Sequence, residues 1–200
     1  MKQSILVVGC GNMGSALTRG LCLDKWHNKY DFCLYDKVLP KAIQIANELG
    51  LSYVADLNEV KSEPYLIFLA VKPNQVKLVC QDLTQFKNSI LISLAAGVNQ
   101  EQLQKYLGEG QPIVRMMPNL GVEVGEGVVA LHFNSRVSEE NREDLLFLFS
   151  SLGWVFEAEE KEFDQITALS GSGPGLVAVF LEAMMDAGVN IGLPREKRIK

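Results

Sequence analysis

Ser4-Ile5-Leu6-Val7-Val8-Gly9-Cys10-Gly11-Asn12-Met13-Gly14-Ser15 is the stretch whose reading decides the fold. Ser4–Val8 is a short continuous apolar run of strand character, and apolar residues at helical spacing follow from about Met13 to Leu23. Between them lies G-x-G-x-x-G. In a strand–loop–helix context the first glycine permits a tight turn and the second lets backbone approach a pyrophosphate. The third allows close packing of helix on strand, while the helix N-terminus offers unpaired N–H groups to phosphates. The pattern alone is also compatible with a purely structural glycine turn. The acid that such sites use on ribose hydroxyls is supplied by Asp36, at the end of a second predicted strand, Phe32–Tyr35, 22 residues after Gly14. Val8, Gly9, Cys10, Gly11, Asn12, Met13, Gly14 and Asp36 are therefore candidate dinucleotide contacts. The carboxylate of Asp36 disfavours a 2′-phosphate, an effect that Lys37 partly reverses; an ordinary strand-end turn residue is the other reading of Asp36. A P-loop is excluded, because Ser15 follows Gly14 where that motif needs lysine.

Working outward, apolar runs and helical patterns alternate. Strands are expected at Tyr65–Val71, Ile90–Ala95, Ile113–Met116 and Val128–His132, with helices at Pro40–Leu49, Asn74–Gln81, Gln100–Leu107 and Ser138–Ser151. Continuous apolar strands separated by helices imply an α/β fold, a mainly parallel sheet covered on both faces. The character changes near Glu157. Ala158–Glu162 is a charge run, read as the solvated start of a helix, and no strand signal follows it. Beyond Ser170-Gly171-Ser172-Gly173-Pro174 a long helix reaches about Ile191, and Glu182, Asp186 and Asn190 form its one polar stripe. Such a helix demands burial nearly all round. The expected division is 1–158 for the sheet domain and 159–200 for an incomplete helical domain.

Composition narrows the function classes. Two hundred residues that are 48% hydrophobic and 22% charged describe an ordinary globular chain and exclude a disordered one. A net charge of −5 argues against a nucleic-acid surface. No unbroken apolar run nears the roughly 18 residues of a membrane span, and the apolar stretch before Gly9 is too short for a signal peptide. Cys10, Cys22, Cys33 and Cys80 form no C-x-x-C pair and the chain has 2 histidines, so no metal site is read. A cytoplasmic location is the expectation.

Three further segments end predicted strands, where ligands of open α/β sheets bind. Ala70-Val71-Lys72-Pro73 follows the third strand, with Lys72 either a ligand contact or a solvated loop cation. Ser93-Leu94-Ala95-Ala96-Gly97 ends the fourth in small residues, open to a flat ring or simply a tight turn. Arg115-Met116-Met117-Pro118-Asn119 ends the next, and Asn119 is a contact or a turn former. Ser170–Pro174 is no serine-hydrolase elbow, since Ala168 and Ser172 flank Ser170. Its local reading is a capped helix start, with or without a carboxylate held on the free N–H groups.

These segments, taken in order, resemble the pyrroline-5-carboxylate reductase family. The most specific is Ala168-Leu169-Ser170-Gly171-Ser172-Gly173-Pro174, continued by Glu182–Val189 and Gly192-Leu193-Pro194-Arg195. The resemblance implies a Rossmann domain followed by a helical dimerisation domain. It implies NADPH or NADH as cofactor and reduction of a cyclic imine carboxylate to L-proline, the last step of proline synthesis. It places Ala70, Val71, Lys72, Pro73, Ala95, Ala96, Gly97, Pro118 and Asn119 at the cofactor and Asn58 on its adenosine side. Ser170, Gly171, Ser172 and Gly173 would take the substrate, and self-association would run through the C-terminal helix as a dimer or larger homo-oligomer. The sequence departs from the family at Gly175-Leu176, where alanine and tyrosine are usual. Relatives continue past the counterpart of Lys200 through interlocking helices and a Ser-Pro-Gly-Gly-Thr-type loop holding the candidate proton donor, so the resemblance assigns no catalytic residue here. A non-catalytic nucleotide-binding protein and a reductase of β-hydroxy acids share the glycine loop; Ser170–Pro174 favours the imine reductase.

Overall fold

Alternation of side chains along the central strands divides the core into two layers, and that division explains the architecture. A computed structural model describes residues 2–23 and 26–194; Arg195 of the family-like segment and the tail to Lys200 lie outside the described residues. The strands are β1 (Gln3–Val8), β2 (Tyr30–Tyr35), β3 (Ser52–Tyr53), β4 (Leu66–Leu69), β5 (Ile90–Ser93), β6 (Ile113–Pro118), β7 (Gly127–Phe133) and β8 (Gly153–Glu157). They form one sheet in the order β3-β2-β1-β4-β5-β6-β7-β8, parallel throughout except for the antiparallel β6–β7 pair.

The helices are α1 (Asn12–Leu23), α2 (Leu39–Leu49), α3 (Pro73–Leu83), α4 (Gln100–Leu107), α5 (Glu139–Ser150), α6 (Phe163–Ile166) and α7 (Gly173–Asn190). Ile5, Val7, Leu66 and Phe68 face the layer holding Leu17 and Leu21 of α1, Ile45 of α2 and Phe149 of α5. Leu6, Val8, Ile67 and Leu69 face the other, with Val76 and Cys80 of α3 and Leu103 of α4. A strand buried on both faces has no polar alternation, which is why these runs read as continuous. Towards β6–β8 a smaller cluster of Met117, Ala130 and Phe163 completes the core.

The doubly wound sheet agrees with the sequence reading, and three details differ from it. First, β3 and β8 were not expected: both are edge strands with one partner each, and β3 is only two exposed residues. Second, the charge run is not simply solvated. Glu162 Oε2 does accept the Glu159 N–H at 2.8 Å at a short turn, Glu160–Glu162, but Glu160 is drawn into the protein. Third, Ser170–Pro174 is no capped start. The helix runs through this stretch as a π-helical turn, Thr167–Gly171, and Ser172 has helical backbone with no side-chain cap. The N–H of Ser172 donates to Thr167 O, and those of Gly175 and Leu176 to Ser172 O, so these donors are already used.

In keeping with the incomplete helical domain expected from the sequence, α7 buries none of its residues: Leu176 is 70% and Phe180 64% exposed. With the turns before it, the helical stretch Glu160–Asn190 is 31 residues and contains an 18-residue window of mean hydropathy 1.3, long and apolar enough by composition to cross a membrane. An unbroken apolar run of that length is absent, as expected, because Ser170–Gly175 and Glu182 interrupt it.

Candidate functional site at the carboxyl ends of the strands

The chain reverses its direction of winding between β1 and β4, so α1 and α3 leave these adjacent strands on opposite faces and open a crevice above them. Ligands of open α/β sheets bind at such a point. The glycine loop fills one side. Gly9 has φ +105°, and a Cβ there would stand 2.6 Å from Ala70 O. A Cβ on Gly14 would collide with Gly9 O. These two glycines are required by the fold itself.

Gly11 is different. Its φ is not positive, and a Cβ built on it meets none of the described residues within 4 Å. Nothing inside the protein demands glycine there, and the open space lies in the crevice where a pyrophosphate would pass. The residues present therefore fit a dinucleotide.

Asp36, at the end of β2, accepts the Cys10 N–H through Oδ2 at 2.8 Å and the Val38 N–H through Oδ1 at 2.8 Å. It thus shapes the glycine loop as well as facing the cavity, and each oxygen retains a lone pair for a ribose hydroxyl. Gly9, Gly11, Asp36, Ala70, Val71 and Lys72 all line one cavity of about 470 Å³. Lys41, in the first turn of α2, lines it too and was missed by the sequence reading; a cation five residues after Asp36 was the available signal. Cys10 and Asn12 line a second opening of about 400 Å³ beside the loop. The Cys10 thiol is pushed up to about 12 by burial, with the Asp36 charge adding and Lys41 opposing, so it is no nucleophile at neutral pH.

The remaining expected contacts distribute unevenly. Val8 is fully buried and its carbonyl accepts from Ala70 N at 2.8 Å; it holds the two crevice walls together rather than facing a ligand. Met13 is half-buried against the core layer beneath α1, and Pro73 forms the first turn of α3. Asn58 donates from both N and Nδ2 to Asp56 Oδ1 at 2.8 Å and lies outside the cavity lining. Ala96 and Gly97 are exposed beyond β5, Gly97 with φ +72°, while Ala95 is buried. Pro118 ends β6 and Asn119 follows it. Asn119 is indeed a turn former, its Oδ1 accepting from Gly121 N at 3.1 Å and Val128 N at 3.2 Å, but its Nδ2 also reaches Ser170 Oγ at 3.5 Å. That bond brings the π-helical turn onto the end of the sheet that carries the glycine loop; such turns recur at functional sites.

A doubly wound sheet with this glycine loop, its acid and a switch-point crevice defines a dinucleotide-dependent oxidoreductase, and residues 4–97 match the family model described as NADP oxidoreductase, coenzyme F420-dependent. Residues 160–200 match the model for pyrroline-5-carboxylate reductase dimerisation. The pyrroline-5-carboxylate reductase of Aquifex aeolicus is 39% identical over 200 residues, all of this chain and 74% of the relative. The solved reductase of Streptococcus pyogenes superposes with a TM-score of 0.88 at 32% identity, covering 98% of this chain and 74% of that one. The Plasmodium falciparum enzyme, solved with NADP bound, gives 0.84 at 30%, covering 97% and 72%. This chain belongs to the pyrroline-5-carboxylate reductase family.

Proposed function

We propose that the chain reduces 1-pyrroline-5-carboxylate to L-proline with NAD(P)H. The observation that carries this reading is the Asn119–Ser170 contact, which sets the segment most particular to the family at the same end of the sheet as the glycine loop. Gly9, Gly11 and Gly14 shape the pyrophosphate path and Asp36 takes the ribose. Ala70–Pro73, Ala95–Gly97 and Pro118 flank the nicotinamide side. Ser170, Gly171, Ser172 and Gly173 hold the imine carboxylate. When bound, the reduced nicotinamide supplies a hydride to the imine carbon, and one proton completes the amine. The protein's share is to bring the two together and exclude water, which requires no side-chain nucleophile.

A division at 158/159, self-association through α7, a cytoplasmic location and the absence of a nucleic-acid or membrane partner belong to the same reading. The match of 160–200 to a dimerisation model supports a second copy, rather than lipid, as the cover of α7. Asp36 makes NADH the preferred cofactor, against the pull of Lys37 and Lys41. The test is proline formation by this chain with each cofactor. Turnover should favour NADH, and Asp36→Ser should move the ratio of efficiencies towards NADPH. No proline with either cofactor removes the proposal, and an unmoved ratio removes Asp36 from the ribose.

A further inference from the structure

A buried cation stands apart from the cavity, at the root of the segment that carries Ser170. Arg115 of β6 has 5% of its side chain exposed. Its Nη1 donates to Glu160 Oε1 at 3.1 Å, and its guanidinium lies 4.4 Å from the ring centre of Phe163. The same oxygen of Glu160 accepts from Gln100 N, the first residue of α4, at 2.7 Å. One carboxylate thus joins three elements: β6, which Asn119 follows, α4, which comes after the Ala95–Gly97 loop, and the stretch leading to the π-helical turn.

Neighbouring contacts fix the same stretch. His132, paired with Arg115 across β6–β7, donates from Nδ1 to Ala158 O at 3.0 Å. Phe163 is 1% exposed against Met117 and Ala130. Thr167 Oγ1 donates to Phe163 O at 2.6 Å, and the π-helical turn begins at Thr167. The side chain of Glu160 is 33% exposed, so water is within its reach, whereas Arg115 would be left inside with its charge unpaired.

We infer that Arg115 is a positioning residue for the substrate segment, holding Glu160 and Phe163 so that the Ser170–Gly173 turn stays in register with Asn119 at the end of β6. The inference rests on the reading of Ser170–Gly173 as the substrate segment, and it deepens that reading. An apolar pair at 115 and 160 would serve burial equally well. Two charges that must meet at one atom select a single placement of the stretch that follows.

Amide hydrogen exchange on this chain, comparing wild type with Arg115→Met and Glu160→Gln, tests it. In Arg115→Met, exchange across residues 160–171 should accelerate by a factor of about ten, while peptides covering 4–14 and 90–97 keep wild-type rates. NADH affinity should stay within about twofold, and KM for the imine carboxylate should rise by about tenfold with kcat little changed. Glu160→Gln, which keeps an acceptor but loses the charge, should show the same pattern more weakly. Arg115→Met/Glu160→Met should be no worse than Arg115→Met, because the two act as one unit. Unchanged exchange in 160–171 overturns the inference. So does acceleration spread evenly over the sheet, or loss of cooperative melting in both single variants, since Arg115 would then serve the core alone. The exchange result stands whether or not the chain forms proline, so failure of the reductase reading is seen separately.

Discussion

At Gly11 the protein forgoes a side chain that its own packing would accept. Its neighbours Gly9 and Gly14 are fixed by contacts with Ala70 and with each other, so substitution there damages the loop itself. Gly11→Val instead places atoms in empty space and should leave the melting temperature near that of wild type. It should weaken NADH binding by about 1.4–2.8 kcal/mol, roughly ten- to a hundredfold. Fluorescence titration and a thermal melt on one sample check both halves; unchanged titration would mean the pyrophosphate does not pass over Gly11. The three glycines and Asp36 were legible because their spacing is local. The bond from Cys10 N–H to Asp36, the exclusion of Asn58 from the cavity and the inward turn of Glu160 were not, since each depends on where a distant strand or helix brings a partner.

Among the elements, the strands read correctly from sequence are those with neighbours on both sides, where burial on two faces leaves an unbroken apolar run. β3 and β8 sit at the edges, and their mixed exposure resembles loop; Trp154 of β8 is 67% exposed. The π-helical turn escaped because Gly-Ser-Gly-Pro signals a break, and the chain instead absorbs it with one wide turn. Helix faces are legible by the same period, and α1 and α3 each turn a cysteine inward. Burial pushes Cys80 up to about 12 and Cys22 to about 11, from an ordinary 9.0, and Cys10 of the glycine loop is likewise raised to about 12. Unfolded thiols release their protons from about pH 9 while the folded ones keep them, so the native state binds more protons between pH 9 and 12. Stability from this source is complete below pH 9 and declines as pH rises, by at most about 1.4 kcal/mol per pH unit for each thiol. Urea midpoints taken from pH 7.5 to 10.5 should therefore fall, and Cys80→Ala should flatten the decline. An identical slope in that variant would show that Cys80 is not among its sources.

At the scale of the whole molecule, one surface is out of balance with the rest. The sheet closes its two core layers completely, yet α7 carries Leu176, Val177, Phe180, Leu181 and Met184 with at least half of each exposed. Burying a side chain of this kind contributes roughly 1.5–3 kcal/mol. Five together rival the ~5–15 kcal/mol that holds a typical domain folded. Exposed apolar area on that scale drives association, and 160–200 match a model for dimerisation, which supports the proposal of a second copy of the chain as the cover. Leu176 and Phe180 lie one turn apart on a shared face. Leu176→Glu/Phe180→Glu should convert the dimer or larger species of wild type into a monomer in multi-angle light scattering. NADH binding should survive, because the cavity beside the glycine loop and Asp36 is lined by no residue of α7. A monomeric wild type at micromolar concentration would leave the apolar face without a function and remove the argument for a second copy. A double variant that stays associated would place the contact elsewhere, with the exposed Phe147 and Trp154 the next surface to test.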